Sequence, residues 1–219
     1  MIAVIQCAGS KRADAGNLSA PDGSPVRFVA HPELAPDDGA FYAKPDEDCG
    51  DGTTWRDLLL KINRGGVEPP PNLLEAGSLY RPSVYGALQK HVGREKLYIL
   101  SAGWGLIRSD FLLPDYDITF SGQAERFKRR RKADHYKDSS MLPPDSDEPI
   151  LFFGSKDYLP IFRQLSAGHR GQRVVLFRSV EQPDFPECET VRYDTPRRTN
   201  SHYEAAESYI AGNLKLPVR

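Results

Sequence analysis

The sequence predicts an α/β fold, with a mostly parallel central sheet and helices on both faces. Short apolar runs indicate strands at residues 3–6, 96–101, 150–153, 173–177 and 190–193, and a weaker strand at 26–30. Helical patterns lie between and after these runs, at residues 54–63, 82–92, 122–136, 158–165 and 202–214. Strands that alternate with helices are typical of a parallel sheet that is covered on both faces.

The strand predictions depend on short runs of apolar residues. The first run contains Ile2, Val4 and Ile5 and opens the chain. Later runs such as LYILS, ILFF and RVVLF have almost no polar residues, as expected of strands buried on both faces.

The helix predictions gain support from residues that favour helix starts. Thr53 or Thr54 can cap the first helix, and Pro82 is placed near the first turn of the second. Asn200 or Ser201 can cap the last helix, which contains Glu204.

Some segments interrupt the alternation of strands and helices. Residues 13–53 and 64–78 are rich in Pro, Gly and Asp, and residues 138–149 form an acidic connector with prolines. We interpret the first two as insertions and expect one domain over residues 1–219, since 39% hydrophobic content is enough for one large core.

Composition narrows the class of protein. The 29 Lys and Arg residues nearly balance the 30 Asp and Glu residues, so the net charge does not indicate binding to nucleic acid. Such binding would have to come from local clusters of basic residues. The three cysteines lie far apart without metal-ligand spacing, and we expect no disulfide framework, no metal and no cofactor. No apolar run approaches the ~20 residues that span a bilayer. Without a signal-peptide pattern, we expect a cytoplasmic protein that does not bind membranes; the oligomeric state stays open, with a monomer favoured.

The first candidate site follows the first strand, in the stretch CAGSKR. Ligands bind beyond the carboxyl ends of strands in open α/β sheets, so loops after strands are compared first. Gln6 can pair with a base edge, and Cys7 and Ser10 can line the same pocket. Lys11 and Arg12 can hold a phosphate, although a turn with two solvated charges fits the pattern as well.

The second candidate site lies in residues 97–120, where a buried strand runs into SAGWG. Asp110, Asp115 and Asp117 follow, and carboxylates can polarise water or offset positive charge on a sugar. Trp104 or Tyr116 can stack on a base. Alternatively, Trp104 belongs to the core and the acids are caps or exposed, and spacing alone selects none of the three.

Two basic segments are candidates for binding a nucleic-acid backbone. One has six basic residues among the seven from 126 to 132: Arg126, Lys128, Arg129, Arg130, Arg131 and Lys132. The other is a loop before the last helix, with Arg197, Arg198, Asn200 and His202. A solvated helix face is the alternative for the first segment.

The chain resembles the YaaA-like superfamily in two regions, 1–12 and 78–120. The matching features are Ser10-Lys11 after the first strand, the LY pair at 79–80, the YILSA-x-x-GL pattern at 98–106, and Pro114 to Asp117. The sequence departs from the pattern where Asp115 stands between Pro114 and Tyr116. The resemblance implies association with DNA and a sheet architecture similar to that of uracil-DNA glycosylases and nucleoside N-glycosidases.

From these residues we expect a DNA glycosylase that acts on a modified or flipped base, for example a modified cytosine in defence against phage DNA. Asp117 is the first choice for the catalytic carboxylate, followed by Asp110 and Asp115. If Lys11 attacked the sugar instead, a Schiff base would form. A non-enzymatic DNA-binding stress protein and a small-molecule N-glycosidase or deoxyribosyltransferase are the alternatives.

Overall fold

The computed structural model describes residues 1–50, 52–178, 182–195 and 200–217. Its strands are β1 (Ile2–Gln6), β2 (Val26–Val29), β3 (Phe41–Ala43), β4 (Asp48–Gly50), β5 (Thr53–Thr54), β6 (Leu74–Glu75), β7 (Leu97–Ser101), β8 (Gly105–Arg108), β9 (Leu112–Leu113), β10 (Tyr116–Asp117), β11 (Ile150–Phe153), β12 (Arg173–Phe177) and β13 (Glu189–Arg192). Its helices are α1 (Trp55–Asn63), α2 (Ala76–Leu79), α3 (Val84–Val92), α4 (Leu159–Ser166) and α5 (Ser201–Ile210), with 3-10 turns at Pro32–Leu34 and Arg94–Lys96.

The central sheet confirms the predicted α/β class. Six strands follow the order β13-β12-β11-β1-β7-β8, and the first five run parallel. Only β8 is antiparallel, because it returns directly from β7 through a tight turn in which Gly105 has a φ of 85°. The apolar runs predicted as strands occupy the five parallel positions.

Helices cover both faces of this sheet, as the side chains of β11 demonstrate. Phe152 stacks on Phe162 of α4 with ring centroids 4.3 Å apart, and Phe153 packs on Tyr209 of α5 at 5.7 Å. Successive residues of a strand point to opposite faces, so α4 and α5 lie on opposite sides.

The predicted start of the first helix is confirmed in detail. The Thr54 side chain accepts a hydrogen bond from the Asp57 amide, while the Asp57 carboxylate accepts from the Thr54 amide. This reciprocal capping fixes α1, whose buried face includes Trp55 and Leu59.

The helix predicted at 122–136 is wrong. Its backbone bonds to residue 119 instead: the Thr119 amide donates to the Lys128 carbonyl at 3.0 Å, and the Arg130 amide donates to the Thr119 carbonyl at 2.9 Å. These longer-range bonds and isolated turns take the place of a continuous helical i to i−4 pattern. The basic stretch therefore runs as an extended and turned segment.

Strand order reverses at β1, where the chain moves from β7 on one side to β11 on the other. Crevices at such a point are the usual ligand sites of open parallel sheets. A small parallel sheet has the order β10-β2-β3, and its strands β2 and β3 lie within residues 13–53. Among the described residues, no helix has the length and apolar character needed to cross a membrane.

Candidate active site

An open cleft of about 280 Å³ brings the first two sequence candidates together. It is lined by the turn after β1, including Gly9, Lys11 and Arg12, and by Asp115 and Asp117 around β10. We call it the Lys11 cleft. Backbone pairing holds the turn after β1 against the end of α2, since Lys11 forms a bridge with Tyr80 and the Arg12 amide donates to the Leu79 carbonyl at 2.9 Å.

The position of β10 is fixed by the buried hydroxyl group of Tyr116. Ser101, the last residue of β7, donates to this hydroxyl at 2.9 Å, and Tyr80 shares a 2.7 Å hydrogen bond with it. The Ser101 oxygen also accepts from the amides of Gly103 and Trp104, at 3.2 and 3.1 Å. These bonds tie β10 to the carboxyl end of the central sheet.

The two aspartates flank Tyr116 and lie on the other side of the strand. Because side chains alternate along extended backbone, an inward Tyr116 directs Asp115 and Asp117 outward together. The α-carbons of residues two apart on extended backbone are separated by roughly 6.6 Å. Glycosidases commonly use two carboxyl groups that flank one glycosidic bond.

The two carboxyl groups have different surroundings. The protein around Asp115 raises the pKa of its carboxyl by desolvation, an effect opposed by the charge of Lys11, although the residue keeps a solvent-exposed side. Asp117 forms an ion pair with Lys128 at 2.9 Å and is 50% exposed. Lys128 also pairs with Glu125 at 2.6 Å, and these hydrogen bonds raise the pKa of the lysine.

Lys11 extends over Tyr116, with its Nζ 4.1 Å from the ring centroid. Burial lowers the pKa of this lysine, despite the opposing charges of Asp115 and Asp117. Within the described part of the chain, no hydrogen bond or ion pair reaches its ammonium group. The sequence did not show that this residue would be partly buried.

A second cleft of about 370 Å³ adjoins the Lys11 cleft at the two aspartates. It shares Asp115, Tyr116 and Asp117 with the Lys11 cleft, and Asn17, Tyr42 and Phe127 line it as well. We call it the Tyr42 cleft. The rings of Tyr42 and Phe127 meet edge to face at 6.0 Å. The sequence pattern did not single out Asn17 and Tyr42, because residues 13–53 lack regular periodicity.

The structure does not bring Asp110 into this site. Asp110 follows β8, which runs back toward the amino end of β7, where Arg108 pairs with Tyr98. Arg108 binds its carboxylate through two hydrogen bonds of 2.7 Å, which lower the pKa of Asp110. The choice of Asp110 as a catalytic candidate is therefore corrected.

The proposed base-stacking residues are in the core. Trp104 is 2% exposed and packs edge to face on Phe28 at 5.1 Å, and Tyr116 is also 2% exposed. Cys7 is buried with its thiol 3.2 Å from the Tyr158 hydroxyl, and the Gln6 amide oxygen accepts from the Ser155 amide at 2.6 Å. These four side chains are structural here, whereas Ser10 is exposed beside the Lys11 cleft.

The basic stretch divides into structural and accessible residues. Arg130 is buried, pairs with Asp138, and donates to the Ala102 carbonyl at 2.8 Å, so it cannot contact a DNA backbone. The others line the surface to different degrees, with Arg126, Arg131 and Lys132 exposed and Lys128 and Arg129 partly buried.

The loop before α5 is only partly described. Arg197 and Arg198 lie outside the described residues. Asn200 is exposed at the start of α5 in a left-handed conformation with a φ of 54°, and its side chain makes no capping bond there. His202 is buried, and burial lowers its pKa to about 4, so it is uncharged at neutral pH and does not suit a phosphate contact.

No protein-family model matches this sequence, and no curated protein matches it. The case for a function therefore depends on the site itself and on the sequence resemblance in residues 1–12 and 78–120.

Proposed function

We propose that this protein is a DNA glycosylase that hydrolyses the N-glycosidic bond of a modified or flipped base. The observation that carries the proposal is the pair Asp115 and Asp117, because both residues line the Lys11 cleft and the Tyr42 cleft. The resemblance to the YaaA-like superfamily supports DNA as the substrate class.

The two clefts suit the two halves of a flipped nucleotide. The Tyr42 cleft offers aromatic surfaces on Tyr42 and Phe127 and an amide on Asn17, which suit stacking and hydrogen bonding to a base. The Lys11 cleft has Lys11 and Arg12 for the sugar and its phosphate. The glycosidic bond would then lie across the aspartates that separate the clefts.

The aspartates would divide the chemistry between them. A carboxyl whose pKa is raised, as at Asp115, can protonate the leaving base. The Asp117 carboxylate can orient water and stabilise positive charge on the sugar, with Lys128 holding its position. We also propose that modified bases of invading phage DNA are the substrates.

The first experiment incubates the protein with unmodified DNA and with phage DNAs that carry modified cytosines. Released bases are measured by mass spectrometry, and abasic sites by alkali-dependent breaks on a gel. We expect Asp117→Asn to lower the rate of base release roughly 100- to 10,000-fold, as for loss of a group that moves or positions protons. Asp115→Asn should also lower it strongly.

Asp110→Asn is the matched control, because it makes the same chemical change near the amino end of β7, away from the two clefts. It should keep base release near the level of the unaltered protein. If Asp110→Asn and Asp117→Asn behave alike, the assignment of the site is wrong. If no DNA loses a base although binding is tight, the protein is a DNA-binding protein without this activity.

A further inference from the structure

We infer that Lys11 is a covalent nucleophile, and that the protein cleaves DNA at abasic sites by β-elimination through a Schiff base. The inference rests on the proposed function, because it requires that the Lys11 cleft hold a deoxyribose of DNA. It adds a second activity, strand cleavage, and a second substrate class, the abasic site.

The first support is the placement of the amine. The Lys11 side chain lies over the Tyr116 ring, with Nζ 4.1 Å from the centroid, in the same cleft as both aspartates. Tyr116 is itself held by Ser101 and Tyr80. The ring is therefore a fixed surface that positions the lysine beside the carboxylates.

The second support is that the Lys11 amine has no ion-pair or hydrogen-bond partner among the described residues. Lys128, the other lysine of the site, is bound to both Asp117 and Glu125. By contrast, no ion pair or hydrogen bond in the described ranges holds the Lys11 Nζ. Burial of this amine and the nearby charge of Lys128 both lower its pKa, which increases the share of the nucleophilic, uncharged form.

The reaction needs only water besides the DNA. The uncharged Nζ attacks the C1′ aldehyde of the open-chain abasic sugar, a C–N bond forms, and loss of water gives a protonated imine. The Asp117 carboxylate takes a proton from C2′, and those electrons form the C2′–C3′ double bond as the C3′–O bond breaks and the 3′ phosphate leaves. Water then hydrolyses the imine, which releases the unsaturated aldehyde and restores the lysine.

The test uses a duplex that already contains one abasic site, together with sodium borohydride. Borohydride reduces an imine to a secondary amine and so links the protein permanently to the DNA. We expect a cross-linked band on a denaturing gel, and peptide mapping by mass spectrometry should locate the adduct at Lys11. Lys11→Ala should lose the band.

Two further variants separate chemistry from folding and binding. Lys11→Arg keeps the positive charge and should keep DNA affinity, measured by fluorescence anisotropy, but it cannot form the imine and should lose the adduct. Lys96→Ala changes an exposed lysine at the amino end of β7 and should retain the full adduct. An adduct that persists in Lys11→Arg, or that maps to another amine, overturns the inference, as does its absence from the unaltered protein.

A preformed abasic site bypasses base release, so the two proposals can fail separately. Base release without an adduct would overturn the role of Lys11 and leave the glycosylase in place. An adduct at Lys11 without base release from any modified DNA would support the lyase and contradict the glycosylase.

Discussion

At the scale of single residues, His202 links burial to pH-dependent stability. The side chain is 8% exposed, and its burial lowers the pKa to about 4. In the unfolded chain a histidine binds a proton with a pKa near 6.5. Between these two values the unfolded state holds more protons than the folded state, so stability decreases as the pH falls from near 7 toward 4.

We therefore expect His202→Gln to flatten the pH dependence of stability. From this group alone, the free energy of unfolding should fall by about 2 kcal/mol between about pH 7 and about pH 5 in the unaltered protein, and the variant should lack this contribution. Urea denaturation of both proteins at the two pH values measures the difference. Equal losses in the two proteins would contradict a buried, uncharged His202.

At the scale of elements, two buried arginines hold the turn between β7 and β8. Arg56 of α1 donates to the Gly103 carbonyl at 2.8 Å, and Arg130 donates to the Ala102 carbonyl at 2.8 Å. Asp138, with 2% side-chain exposure, pairs with Arg130 and lies 3.9 Å from Arg56. Asp46 binds Arg56 as well, so two carboxylates balance the two buried cations at the end of the strand that carries Ser101.

Removal of this carboxylate should be costly. We expect Asp138→Ala to lower the free energy of unfolding by about 3–5 kcal/mol, because it leaves the buried Arg130 guanidinium without its carboxylate partner. Asp14→Ala is the control: Asp14 pairs with Arg12 at the surface and is 59% exposed, so its removal should leave stability nearly unchanged. Urea denaturation measures the free energy of unfolding of both variants. Similar losses would show that the buried Asp138–Arg130 pair contributes no more to stability than the exposed Asp14–Arg12 pair.

The strands and helices also show which parts of the fold the sequence could predict. Buried parallel strands read as continuous apolar runs, so β1, β7, β11 and β12 were found from local pattern alone. The helix at 122–136 failed because Arg130 and the backbone of residue 119 bond over longer range, which periodicity does not register. Nor does local pattern reveal β8, whose GLIR stretch is brief and follows a tight turn.

The candidate site was predicted in part for related reasons. Lys11, Asp115 and Asp117 follow strands, and the sheet brings such loops to one edge. Asp110 follows the antiparallel β8 and therefore lies at the amino ends of the parallel strands. The sequence could not show this, because it does not reveal that β8 is antiparallel. Trp104 and Tyr116 carried the aromatic signal in the sequence, yet both are buried, although Tyr116 lines both clefts. The partly exposed Tyr42, which also lines a cleft, gave no such signal.

At the scale of the whole molecule, a net charge of −1 means that DNA affinity must come from the arrangement of charges. Arg12 lines the Lys11 cleft, and Arg126 adjoins Phe127 and Lys128 of the Tyr42 cleft. Arg94 and Lys96 are similarly exposed, at 53% and 47%, but lie at the amino end of β7. The two pairs have equal charge, but only Arg12 and Arg126 adjoin the two clefts.

This difference predicts which charges affect binding to DNA. Each phosphate contact contributes about 0.9 to the slope of log K against log salt concentration, because it releases condensed counterions. The Arg12→Gln/Arg126→Gln variant should bind duplex DNA more weakly and lower the slope by about 2, whereas Arg94→Gln/Lys96→Gln should change neither. Anisotropy titrations of a labelled duplex over a series of salt concentrations measure both. Equal effects of the two double variants would mean that DNA binds through diffuse charge and not beside the two clefts. The proposal that a flipped nucleotide lies across Asp115 and Asp117 would then lose its support.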